Sequence, residues 1–331
     1  MASTFRCALL VLVLAAGAAH AQETYPTRPI RLVIGFGAGG PTDIPGRFVA
    51  DKLGEALGQR VVVENKPAAA GMIATRDVLA QPRDGYTLCT KTGVTRPHAS
   101  LPMPSGATRR RQFDRWDYSA RATRASVERS LARLGVERLD IVHLHDVEAH
   151  VDACLEAYEE LVRLRAEGVV GAIGIGSNFA APVMDLIQRA RFDTFLLAGC
   201  YTLLDQSGIA LLDEAHTRGM RVVVGGVYNS GLLAAWPNAA ATYAYAPADA
   251  AMRDRTAAIA AVCARHGVPL AAAALQFAAS HPAIATVLIG PRTIAELDAN
   301  LAAWSHPVPP ALWDDLAAAA VIPFRSHGDI R

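Results

Sequence analysis

Short runs of β-branched residues alternate along this chain with longer stretches whose apolar positions recur at helical spacing. Pro29 to Ile34 reads as a strand that ends in a glycine-rich run, Gly35 to Gly40. A helix follows, with Phe48, Leu53 and Leu57 on one stripe and Gly58 as its stop. Residues 60–63 give a second strand, 73–80 a short helix and 86–90 a third strand. The segment 92–117 is rich in Pro, Gly, Ser and Arg, lacks periodicity and reads as a long loop. A helix over 121–134 places Val127, Leu131 and Leu134 on one face and Gly135 at its C-cap. Strands at 141–145, 169–175, 194–200, 221–225 and 286–289 then alternate with helices at 152–167, 180–190, 207–218 and 250–266, a helix from about 270, and a last one at 294–303.

Strands separated by helices pair in parallel through crossover connections. About eight strand–helix units predict an α/β fold of the closed (β/α)8 barrel type, with chemistry at the C-terminal ends of the strands. An open doubly wound sheet is the competing architecture.

Before residue 22 the pattern changes. Arg6, an apolar run from Ala8 to Ala18 and the triplet Ala19-His20-Ala21 form a basic, apolar and small-x-small sequence. That is the order of an export signal, so residues 1–21 are expected to be removed and the mature chain to be exported and outside the membrane. The apolar run is too short to span a bilayer. The 331 residues are 52% hydrophobic and carry a formal charge of +1, which gives no electrostatic case for a nucleic-acid partner. Of the five cysteines, Cys7 lies in the signal. Cys89, Cys154, Cys200 and Cys263 are far apart, lack metal-ligand spacing and are expected to be buried free thiols. No metal site is expected.

From about Tyr86 onward the strand ends carry a consistent set of motifs. They are Thr90-Lys91-Thr92-Gly93, Asp117-Tyr118-Ser119, Leu139-Asp140-Ile141-Val142-His143-Leu144-His145-Asp146 and Gly174-Ile175-Gly176-Ser177-Asn178. Then come Cys200-Tyr201-Thr202-Leu203-Leu204-Asp205-Gln206, Gly225-Gly226-Val227-Tyr228-Asn229-Ser230-Gly231 and Leu288-Ile289-Gly290-Pro291-Arg292. In this order they resemble the aldo-keto reductases, closest to aldose (fucose/galactose-type) 1-dehydrogenases and pyridoxal 4-dehydrogenases. Residues 1–85 differ. Tyr25 to Val33, Gly39-Gly40-Pro41-Thr42-Asp43 and Leu57 to Pro67 resemble the Bug-type receptors of tripartite tricarboxylate transporters, exported proteins that hold small carboxylates. The two resemblances imply a fusion: a signal at 1–21, a receptor-like βαβα segment at 22–85, and a barrel portion at 86–331 whose first two strand–helix units are replaced. The reductase family is normally cytoplasmic, so the signal and the barrel imply different compartments.

The reductase resemblance implies hydride transfer between a nicotinamide and the carbonyl carbon of a small sugar or aldehyde. Lys91 matches the family's lysine and His145 its substrate-orienting histidine; His143, on the same face of the strand, is the local competitor. Ser177 and Asn178 match the pair that hydrogen-bonds the nicotinamide carboxamide, and also suit a helix N-cap. Gly225 stands where many members place an aromatic ring. Gly290, Pro291, Arg292 and Asn300 match the region that holds the adenosine phosphate. Glu296 falls where NADP-preferring members often carry arginine, which implies NAD, with NADP as the alternative. The family's catalytic tyrosine and its paired aspartate belong to the replaced part; Tyr86, Asp43 and Glu64 offer no substitute, so impaired activity is expected. Gly35 to Gly40 lacks dinucleotide-loop spacing, and Glu64 is only a loose ribose partner for it. The alternatives are an exported carboxylate-binding receptor fragment and a non-functional fusion.

Overall fold

A computed structural model describes residues 29–34, 38, 43–65, 87–95, 115–238, 241–244, 246–291 and 293–319. The signal segment, most of the glycine-rich loop, the helix expected at 73–80, Tyr86 and Arg292 lie outside these. The chain divides into two compact units, 1–77 and 78–331.

In the first unit, β1 (Ile30–Ile34) and β2 (Val61–Asn65) pair in parallel, with Ile30 opposite Val61 and Ile34 opposite Asn65. Their crossover is α1 (Asp43–Leu57). Gly58 ends it at φ 64, a left-handed conformation that costs glycine little. Glu64 does not follow its strand as the sequence pattern suggests. It lies within β2, and its carboxylate takes both Arg31 Nε and Nη2, at 2.8 and 2.6 Å. That pairing occupies the Glu64 carboxylate within β2. At 34% exposure on each side, the ion pair contributes at most about 1 kcal/mol.

The second unit contains a parallel six-stranded sheet in the order β3-β6-β7-β8-β9-β12. These strands are Cys89–Thr92, Leu139–His145, Val170–Ser177, Thr194–Ala198, Arg221–Gly225 and Ile284–Val287. A short antiparallel pair, β4 (Val94–Thr95) with β5 (Arg115–Trp116), and helix α2 (Ala120–Leu134) link β3 to β6. Helices α3 (Val151–Ala166), α4 (Ala180–Arg189) and α5 (Ile209–Thr217) provide the next three crossovers. The return from β9 to β12 carries the pair β10 (Thr242–Tyr243) and β11 (Ala246–Pro247), then α6 (Ala250–Arg265) and α7 (Leu270–Ala278). Beyond β12 lie α8 (Ile294–Ser305) and a further helix, α9 (Ala311–Ala318). Short length and a proline-rich approach hid α9 from the sequence pattern; Leu312, Trp313 and Leu316 are buried on it.

The start of α2 follows from its cap. Ser119 accepts from the Ala122 N–H, and Gly135 closes the far end at φ 72. One face of the sheet is packed under these helices. Val142, Leu144, Ile173, Ile175, Phe195, Leu197, Val222 and Val224 are each 1% exposed or less. The alternate residues, facing the other way, include His143, His145, Gly174, Gly176 and Gly225. Cys154, Cys200 and Cys263 are buried free thiols, but Cys89 is exposed near the open end of β3.

Candidate active site

The parallel register sets the site's levels. Lys91 lies opposite His143, His143 opposite Gly174, and His145 opposite Gly176. The glycines of β7 are the reason two imidazoles fit on β6. A Cβ at Gly174 would stand 2.5 Å from His143 Cδ2, and one at Gly176 would stand 3.3 Å from His145 Nδ1. The alternation of histidine on one strand with glycine on the next is a sequence signal for this packing.

The two histidines differ. His143 sits lower in the sheet. Its Nε2 is buried and makes no hydrogen bond to a described residue, and burial pushes its pKa below the ordinary histidine value. His145 is at the strand tip. Its Nε2 is 3.1 Å from Lys91 Nζ and 3.6 Å from an Asp146 carboxylate oxygen. An ammonium only donates, so in this contact His145 Nε2 is the acceptor for Lys91. Lys91 and His145 thus meet across neighbouring strands, as the sequence motifs suggest, while His143 stays apart.

The tip is held by a residue whose role the sequence did not reveal. Asp146 follows His145 in a left-handed conformation, φ 57, which is costly for a residue with a side chain. The Tyr118 hydroxyl reaches the His145 carbonyl at 2.6 Å and the Asp146 carbonyl at 3.0 Å and pins this turn. Its ring lies on Gly93, where any Cβ would collide with it, and Gly93 itself is at φ 104. Burial holds the Tyr118 phenol far above its ordinary range. A phenol that is buried and committed to two carbonyls is no replacement for the family's proton-donating tyrosine.

Ser177 and Asn178 occupy the next strand end. Neither caps α4: the N-cap position is Phe179, without a side-chain cap. The expected capping role fails because Ser177 Oγ accepts from Phe179 N–H one residue before the helix. Ser177 is buried, while Asn178 is exposed. Glu148, in the short 3-10 turn after β6, takes the Asn178 N–H at 2.8 Å, Asn178 Nδ2 at 3.1 Å and lies 3.2 Å from Ser177 Oγ.

At the β9 tip, a Cβ on Gly225 would meet nothing nearer than 3.9 Å, so this glycine leaves open room rather than relieving a clash. Beyond it the chain turns through Gly226, Asn229, Ser230 and Gly231, all at positive φ. Asn229 is 6% exposed and its Oδ1 has no hydrogen bond among the described residues. Tyr228 donates to Asn300 Oδ1 at 2.8 Å, and burial pushes its phenol up to about 12. Asn300 therefore joins α8 to the loop after β9. Glu296 is in the first turn of α8, whose N-cap Thr293 accepts from the Glu296 N–H. Gly290 and Pro291 are exposed between β12 and α8. The exposed Asn178, the open room at Gly225 and the glycine-rich turn beside α8 leave polar groups and space that fit a nicotinamide dinucleotide. Among the described residues no cluster of three His, Cys, Asp or Glu side chains could hold a metal ion.

These strand tips lie within a recognisable lineage: the chain belongs to the aldo/keto reductase family, whose family model matches residues 64–320. It is 36% identical over 255 residues to a D-threo-aldose 1-dehydrogenase of a Pseudomonas species, covering 73% of this chain and 77% of that one. Among solved structures, an aldo-keto reductase from Bacillus halodurans in its holo form matches with a TM-score of 0.58 at 23% identity. That match covers 76% of this chain and 78% of the other and supports the barrel-type fold. The remaining part has different relatives. A UPF0065 protein of Bordetella pertussis, of the Bug type, is 44% identical over 102 residues, 30% of this chain and 31% of that protein.

Proposed function

We propose that this chain is an NAD(P)-dependent oxidoreductase that oxidises an aldose of the fucose or galactose kind, or interconverts a small aldehyde and its alcohol, with a weakened proton-transfer step. The observation that carries this reading is the 3.1 Å contact between Lys91 Nζ and His145 Nε2, made by two strand tips on the face that also bears Gly225. A bound nicotinamide would supply hydride acceptance and donation at its ring C4. The protein's part is to hold the substrate oxygen on the Lys91 side chain beside His145, to anchor the cofactor through Ser177 and Asn178, and to leave its ring face open at Gly225. Gly290, Pro291, Arg292 and Asn300 would hold the adenosine phosphate of a bound dinucleotide. A carboxylate at Glu296 repels a 2′-phosphate and favours NAD over NADP.

In this reading the sequence is a signal at 1–21, a receptor-like segment at 22–85 and a barrel portion from 86, and the chain is exported. The family's tyrosine and aspartate are missing with the replaced units. Loss of the general acid lowers turnover by roughly 10²–10⁴. The test is NADH formation by the purified full chain with fucose, galactose or pyridoxal. Slow turnover that disappears in Lys91→Met supports the reading; neither turnover nor cofactor binding rejects it.

A second reading has its own observation, the 44% identity of the N-terminal part to a Bug-type protein. It makes the chain an exported carboxylate binder. Calorimetry with citrate and dicarboxylates distinguishes the two: heat of binding to citrate without any to NAD favours the receptor.

A further inference from the structure

We infer that Glu148 is a positioning residue that fixes the outward face of Asn178 and thereby selects for the carboxamide of the nicotinamide; this rests on the oxidoreductase reading above. One oxygen of Glu148 gathers donors from two successive residues. It accepts the Asn178 N–H at 2.8 Å and Asn178 Nδ2 at 3.1 Å, and lies 3.2 Å from Ser177 Oγ. The Ser177 hydroxyl has a single proton, and the Phe179 carbonyl at 3.0 Å competes for it. The two Asn178 contacts are therefore the ones that belong to Glu148 alone. A third tie, from Cys200 Sγ to the Asn178 carbonyl at 3.1 Å, holds the backbone of the same residue.

A primary amide presents two nearly isosteric faces, and its orientation follows its neighbours. A carboxylate only accepts, so Glu148 forces the Asn178 NH2 inward. The Oδ1 then points away, and it takes no hydrogen bond among the described residues. An outward acceptor recognises a donor. On a nicotinamide that donor is the carboxamide NH2, which an acetyl group at the same position lacks. Charge-assisted bonds to a carboxylate are the stronger kind, so the preference is firmly set. The failure of the expected helix-capping role also fits: Asn178 is committed to Glu148 before α4 begins.

Cofactor affinity of the full chain, read by fluorescence titration, tests this with two probes: NADH and its reduced 3-acetylpyridine analogue. Glu148→Ala frees the amide to turn and should weaken NADH by up to roughly tenfold, the value of one hydrogen bond between neutral amides. It should leave the analogue unchanged. Glu148→Gln keeps an acceptor oxygen and should restore most of the NADH affinity. Equal weakening of both probes would mean that Glu148 merely holds the turn together, and unchanged NADH affinity would remove any role; either result overturns the inference while the oxidoreductase reading stands. Wild-type protein that binds neither probe rejects the oxidoreductase reading itself, and the role of Glu148 with it.

Discussion

The two parallel arrangements in this chain are buried to very different degrees. In the six-stranded sheet of the second unit, Val142, Leu144, Ile173 and Ile175 are fully buried, and a continuous apolar cluster extends from Tyr118 to Leu316. In β2 all five residues are half-buried, and Ile34 and Ala50 are the buried apolar residues among those described in the first unit. Parallel strands depend on cover from both faces. The reductase-type sheet holds its own apolar core, and the strand tips that carry Lys91 and His145 rise from it.

The largest difference between the two sheets should appear when a cavity is cut into each. Leu144→Ala should cost about 3 kcal/mol of unfolding free energy, because a fully buried leucine leaves a cavity. Val62→Ala in half-buried β2 should cost less than about 1 kcal/mol. Denaturant titration monitored by circular dichroism measures both, and equal losses would contradict the asymmetry.

Gly93→Ala comes next, at about 2 kcal/mol, since it combines a φ of 104 with a clash against the Tyr118 ring. If it also displaces Tyr118, the His145–Asp146 turn loosens and any turnover falls with it. Tyr118→Phe is the control: it keeps the ring on Gly93 but removes the hydroxyl from the two carbonyls.

The strand order of the barrel portion was legible because burial enforces it. Helical stripes such as Val127, Leu131 and Leu134, and the caps Ser119 and Gly135, carry local signals that tertiary packing reinforces. That Lys91 and His145 meet at neighbouring strand tips was legible through their motifs. Tyr118 and Glu148 were not, since their partners lie 27 to 30 residues away and are backbone groups or amides that leave no trace in periodicity. Neither was the true setting of Glu64, because the Arg31 pairing depends on the parallel register of β1 with β2.

The smallest effect is a pH response specific to the second unit. Burial lowers the pKa of His143, and burial also lowers that of His281 against the opposing pull of Asp213. Above the ordinary histidine pKa of about 6.5 both are neutral whether folded or unfolded, and stability is complete. As pH falls below that value the unfolded chain takes up protons first, so stability declines until the folded pKa values are passed. Thermal melts from pH 7.5 down to 5 should show this decline, and His143→Gln should reduce it to the share due to His281.

Hydrogen exchange on the full chain, with and without NAD, tests the central claim most directly. The account predicts added protection in peptides covering 139–148, 174–178 and 225–231. No change in those peptides, or protection confined to 30–65, would contradict it.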